Sequence, residues 1–246
     1  MLVAYAVLDG FDFGAGLIHF FVARTDPERR AVFAAIGPVW DGNEVWLVAA
    51  GGVLFFAFPR AYAAAASGLY LPLMMVLWLL VLRGVSIEFR SKLRHELWRA
   101  GFDGVFTFAS AVMAIVLGVA LANLVRGVPL GPDGWFHEDL FTTVGEPGAV
   151  DGYTAIVGIF AACALATHGA TFLAYRTAGE VGRRAASAAG LLWPATLALG
   201  VLVTAATAAT QPAHFASFAR RWWIWPLPLV AIGAGIESLR SIRRGA

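Results

Sequence analysis

The chain carries little charge and almost no cysteine. Charged residues fill 14% of its 246 positions, too few to clothe a soluble domain of this length. The one cysteine, Cys163, sits inside an apolar run, which excludes an intrachain disulfide and any cysteine-based metal site. Its ordinary role is that of a small core residue. Met1 is followed directly by apolar residues, without the basic stretch that opens a cleavable signal. A phosphate-binding glycine loop, a nucleophile elbow and an HExxH motif are all missing. The sequence therefore offers no catalytic residue and no metal ligand set of its own, and nothing in it points to nucleic acid. Strand-period alternation is absent as well, which argues against a barrel.

What is present is apolar sequence in long runs. Hydrophobic residues make up 59% of the chain and the mean hydropathy is +0.73. Runs of this length cross a bilayer as helices. The fold class that follows is all-α, a polytopic transmembrane bundle of about seven spans. They fall near 2–23, 38–58, 62–83, 104–125, 153–175, 185–210 and 222–239. Asp26-Pro27 starts a short helix to Ile36, which Gly37-Pro38 ends. Pro59 closes the second span, while Pro72 and Pro194 are placed to kink the third and sixth.

The basic residues set an orientation. One alternate set of loops holds fourteen Lys and Arg, among them Arg24, Arg29, Arg90, Arg99 and Arg184; the other set holds four, Arg60, Arg126, Arg220 and Arg221. The positive-inside rule puts the first set in the cytoplasm, with the N-terminus outside, the C-terminus inside and a cytoplasmic loop at 84–103. The outer loop at 126–152 is acidic through Asp133, Glu138, Asp139, Glu146 and Asp151.

Several acids fall inside or against these spans. Asp9 and Asp12 are three apart and share a helix face, as do Asp41 and Glu44 at the inner mouth of the second span. Arg83 and Glu88 stand at the inner end of the third. An ionised group at membrane depth costs at least ~2.5–3.5 kcal/mol, so such residues turn inward and pair. A buried carboxyl that can exchange a proton near neutral pH suits a proton relay. Blander readings stand beside this one. Asp41 can cap its helix, with Trp40 and Trp46 as interfacial anchors. Asp9 and Asp12 can simply pair with Arg83, and Glu88 can belong to a solvated loop. His19 and His168 lie on separate spans near one end, where a bis-histidine haem site is conceivable; single membrane histidines more often serve as packing residues. Gly10, Gly14 and Gly16 permit close helix contact. "FFVART" at 20–25 echoes "FLAYRT" at 172–177, which two four-helix repeats, 1–126 and 151–246 with the last helix missing, would explain within one domain spanning 1–246.

The stretches "LDGFDFGAG", "ARTDPERR", "IGPVWDGNEVWLVAAGGVLFFAFPRAYA", "SGLY", "EFRSK" and "THGATFLAYRT" together resemble subunit II of the cytochrome bd-type quinol oxidases. The likeness is specific from Leu8 to about Leu130 and looser to about Arg244. It implies a bacterial or archaeal cell membrane and a complex that oxidises quinol and reduces oxygen to water. Haem b and haem d are expected in the partner, subunit I, and a structural quinone in this subunit is conceivable. It implies that subunit II supports subunit I and supplies a cytoplasmic proton path, with Asp41 of the WDG motif as its mouth and Glu88 of the EFRSK motif further along. Family members carry more sequence before the DGFD motif and at least one further helix after the seventh. Two other functions compete: a proton-coupled permease, which needs broken helices facing each other at mid-membrane, and a scaffold that only stabilises its partner.

Overall fold

The computed structural model describes residues 1–136, 140–141 and 148–243; His137, Glu138, Asp139, Glu146 and Arg244 lie outside the described residues. Those residues form helices and connecting turns: α1 (Leu2–Leu8), α2 (Gly10–Val22), α3 (Asp26–Ile36), α4 (Trp40–Ala57), α5 (Pro59–Gly68), α6 (Tyr70–Phe89), α7 (Glu96–Arg126), α8 (Gly152–Arg176), α9 (Gly179–Thr210), α10 (Pro212–Arg220) and α11 (Pro226–Arg243). Among the described residues six segments are long and apolar enough to cross a membrane. They are Leu2–Val22, which joins α1 and α2, then α6, α7, α8 and α9, and Trp222–Ser241, which holds most of α11. The second expected span, α4, is a single helix of 18 residues, but Asp41, Asn43 and Glu44 lower its apolar character and leave it outside that set.

The third span, expected at 62–83 with a kink at Pro72, is interrupted at Leu69 between α5 and α6, where Gly68 packs directly on the Phe136 ring. The interruption stands where Pro72 would put it: Pro72 has no N–H for the Gly68 carbonyl four residues back, while the Leu69 and Leu73 N–H groups still reach the Ala65 and Leu69 carbonyls at 2.9 Å. One expectation is corrected. The loop expected at 84–103 is mostly helical, because α6 runs to Phe89 and α7 starts at Glu96. Arg83, Arg90 and Asp103 find buried partners there, so the helices extend past the apolar runs. Pro194 sits within α9, which remains one helix through it.

Helix α8 is central and packs on α2, α7 and α9. Glycines set two of these contacts. A Cβ on Gly14 would stand 1.9 Å from the Leu165 carbonyl oxygen, and one on Gly169 would stand 2.2 Å from the Gly14 carbonyl carbon. Likewise a Cβ on Gly118 would meet the Gly158 backbone at 2.8 Å. The obstacles are backbone atoms, which do not yield. Gly14→Ala is expected to destabilise the bundle by more than the ~1–3 kcal/mol of ordinary overpacking, read as a lower melting temperature in detergent; Gly42→Ala, which meets open space, serves as the control. Around this crossing Ala15, Ile18, Phe33, Phe106 and Leu173 are buried together. The outward faces of α9 and α11 are apolar, and only 6% of each span is buried, which leaves them for lipid or another chain.

Candidate functional site

Helices α2 and α6 each place ionisable residues seven apart on one face: Asp12 and His19, Arg83 and Arg90. Seven residues are two helical turns, about 10 Å. The bundle consequently holds two buried charged layers.

The deeper layer centres on Arg83. Its side chain is 1% exposed, and Nη2 donates to Asp9 Oδ1 at 2.5 Å and to Glu44 Oε1 at 2.9 Å. The guanidinium also lies over the Phe13 ring, 4.1 Å from its centroid. Asn43 Nδ2 donates to Asp12 Oδ2 at 2.9 Å and to the Leu8 carbonyl at 2.9 Å, which ties α4 to the α1–α2 junction. Asp9, Asp12 and Arg83 are fully buried, whereas Glu44 keeps 22% of its side chain exposed. Glu44 therefore joins the interior to the surface. Tyr5 Oη, Asp9 Oδ2 and Asp12 Oδ1 are buried in the same layer, and Arg83 Nε and Nη1 are buried with no hydrogen-bond partner among the described residues.

The second layer lies at the end of the bundle rich in arginine. Asp103, buried, accepts from Arg90 Nε at 2.5 Å, Arg90 Nη2 at 3.1 Å and Arg29 Nη1 at 3.1 Å, and its Oδ1 lies 3.1 Å from His19 Nε2. Asp26 accepts from Arg90, Arg99 and Arg30. Beside them Glu28 Oε2 accepts the backbone N–H groups of Arg24 and Thr25, and Arg184 as well. The Arg24 N–H first, then Arg184 and the Thr25 N–H, lower the Glu28 pKa to about 2. Its hold on the start of α3 is thus present above the ordinary carboxyl range and lost only as pH falls through about 2. Burial works to raise the Asp26 pKa, but the Arg90 hydrogen bond and the surrounding arginine charge outweigh it, so the net direction is down.

The sequence-derived candidates divide. Asp9, Asp12, Glu44 and Arg83 meet in one layer. Asp41 stands exposed in the first turn of α4, three residues from Glu44. The N-cap is Val39 and no side chain caps the helix, so Asp41 does not act as an N-cap. Trp40 packs its ring toward Gly84 of α6, beside Arg83, while Trp46 is 39% exposed. Glu88 is exposed in the last turn of α6 and makes no hydrogen bond or ion pair among the described residues. The sequence reading missed His19, Asp26, Arg90 and Asp103 as a unit; the paired seven-residue spacings were the available signal. His19 and His168 are engaged apart. His19 faces Asp103 through Nε2, and His168 Nε2 donates to the Val7 carbonyl at 2.9 Å. They do not form a haem ligand pair. Among the described residues no group of three or more His, Cys, Asp or Glu could hold a metal ion.

Fold and site together define a polytopic helical membrane protein with a buried, arginine-compensated acid cluster. The chain matches the family described as cytochrome bd terminal oxidase subunit II over residues 1–246 and belongs to that family. It is 40% identical over 181 residues to cytochrome bd-I ubiquinol oxidase subunit 2 of Escherichia coli K12, covering 74% of this chain and 47% of that protein. It is 37% identical over 206 residues to cytochrome bd ubiquinol oxidase subunit 2 of Bacillus subtilis 168, covering 82% of this chain and 59% of the relative. A probable cytochrome oxidase subunit 2 of Haemophilus influenzae is 36% identical over 189 residues, covering 75% of this chain and 48% of that protein. The chain thus spans about half the length of the curated relatives it matches.

Proposed function

We propose that the chain is the non-haem subunit of a cytochrome bd-type terminal oxidase, an oxidoreductase complex that oxidises quinol and reduces oxygen to water. The observation that carries this is the family match along residues 1–246. Haem b and haem d belong to the partner, subunit I, which this chain supports; a structural quinone is compatible with the family. Oxygen reduction consumes protons, and drawing them from the cytoplasm makes the reaction build a gradient. Asp41 is the cytoplasmic mouth of that supply. Its support is positional: an exposed carboxylate stands one turn from Glu44, which bridges solvent and the buried Arg83–Asp9 pair. Glu88 is a second acid at the same end of the bundle.

A permease would need helices broken at mid-membrane. The lapse between α1 and α2 is no such break, since the Asp9 N–H still reaches the Tyr5 carbonyl at 2.8 Å and the Phe13 N–H the Asp9 carbonyl at 3.1 Å. The functional test is co-purification. The tagged full-length subunit should bring down a haem-bearing chain whose quinol-driven oxygen uptake disappears when this subunit is deleted. An isolated subunit with its own haem bands, or normal uptake after deletion, contradicts the proposal.

The orientation follows from fourteen basic residues against four. The N-terminus is external, the C-terminus cytoplasmic, and the arginine-rich layer faces the cytoplasm. A reporter fused after Arg94 should be active only in the cytoplasm. Periplasmic activity at that point would reverse the orientation and with it the place of Asp41.

A further inference from the structure

The deeper layer sets the carboxyls of Asp9, Asp12 and Glu44 around the single guanidinium of Arg83. Arg83 Nη2 serves Asp9 Oδ1 and Glu44 Oε1. Among the described residues Asp12 has no such ion pair. Its Oδ2 accepts from the Asn43 amide, a neutral donor, at 2.9 Å. The Asp12 carboxyl also lies within hydrogen-bond reach of the Asp9 carboxyl, and so does the Tyr5 hydroxyl. Asp9 and Asp12 are fully buried, and the oxygens that Arg83 and Asn43 leave over, Asp9 Oδ2 and Asp12 Oδ1, are buried with them. Two ionised carboxylates offer acceptors only and have no donor to place between them. At this range and out of water the two do not both ionise; one proton shared between them turns the repulsion into a hydrogen bond. The Arg83 ion pair holds the charge on Asp9, so the proton falls to Asp12. It sits on Oδ1, because Oδ2 accepts from Asn43. The other ionisable groups nearby do not change this assignment. Asp41 is exposed one turn before Glu44, His168 is tied to the Val7 carbonyl, and the His19–Asp103 pair lies two turns further along α2, about 10 Å away.

We propose that Asp12 carries a proton in the resting protein and donates it in a hydrogen bond to the Asp9 carboxylate. A pair emptied of that proton would leave two facing carboxylates beside one guanidinium, a state that draws the next proton inward from Glu44. On the reading of Asp41 and Glu44 as a proton supply, the pair is where an incoming proton rests; the shared proton itself stands without that reading.

The test is infrared spectroscopy of the full-length complex at rest, without quinol, near neutral pH. A protonated carboxyl has a carbonyl stretch that stands apart from the carboxylate bands. The difference spectrum between the parent and Asp12→Asn should show one such band lost. The variant should assemble, because the amide is neutral like the protonated acid, donates to Asp9 through Nδ2 and accepts from Asn43 through Oδ1. Asn43→Ala frees the Asp12 carbonyl oxygen from its hydrogen bond and should shift the same band to higher frequency, which decides the question where Asp12→Asn fails to assemble. Glu44→Gln should leave the band in place, since Glu44 does not hold this proton. A protonated-carboxyl region that neither Asp12→Asn diminishes nor Asn43→Ala shifts overturns the proposal, as does a band lost in Glu44→Gln alone. The band is read without turnover, so it is independent of the supply. Normal oxygen uptake in Asp41→Asn with the band intact would refute Asp41 as the mouth and uphold the shared proton.

Discussion

Asp41→Asn in the full-length subunit, assembled with its partner, should leave haem content near normal and cut quinol-driven oxygen uptake about 100-fold, the lower end of what a positioned proton-transfer group contributes. The amide matches the carboxylate in size but cannot exchange a proton. Structure predicts little cost to folding. Asp41 is exposed, makes no hydrogen bond or ion pair among the described residues and does not cap α4. The favourable interaction of an acid with the first turn is worth only ~0.3–1 kcal/mol. Asp41→Glu keeps a carboxyl and should retain part of the activity. Oxygen consumption per haem is the deciding measurement. Near-normal turnover in Asp41→Asn would leave the subunit a scaffold; joint loss of haem and activity would point to assembly. Glu88→Gln is the companion. Loss equal to that of Asp41→Asn would put both acids on one path, while full retention would confine the path to Asp41 and Glu44.

Much of this site is legible in the sequence. The cost of charge in a bilayer requires Asp9, Asp12 and Arg83 to turn inward, and three-residue spacing puts Asp41 and Glu44 on one face. Which cation meets which acid was a matter of inter-helix register, which spacing along one helix does not contain. The charges at 84–103 read as loop because arginine and aspartate depress hydropathy wherever they stand. Arg90 and Asp103 in fact neutralise each other between helices. Neutralisation by a partner more than ten residues away is invisible to a sliding window. The interruption at Leu69 is legible through Pro72, which removes the hydrogen bond to the Gly68 carbonyl; the packing of Gly68 on Phe136, a residue from a distant loop, is not.

Arg83 is where removal of a single group should harm the fold most. Arg83→Met fills a similar volume but leaves Asp9 and Glu44 facing each other without a cation. Breaking a buried ion pair from one side typically costs ~3–5 kcal/mol, because the surviving charge stays desolvated. The variant complex should therefore melt at a clearly lower temperature and assemble poorly. Arg83→Lys retains the charge but offers one ammonium in place of a fork that stacks on Phe13, so a smaller loss is expected. The origin of the loss is separable. Asp9→Asn with Glu44→Gln removes the stranded charges, and buried ion clusters replaced as a whole by neutral groups often cost little. The triple variant Arg83→Met, Asp9→Asn, Glu44→Gln should recover most of the melting temperature while oxygen uptake stays low, since Glu44, the acid one turn inward of Asp41, and Asp9 can then no longer exchange a proton. Were Arg83→Met alone to melt like the parent, the layer would have to be hydrated enough to stabilise two carboxylates, and the low-dielectric view of this cluster would be wrong.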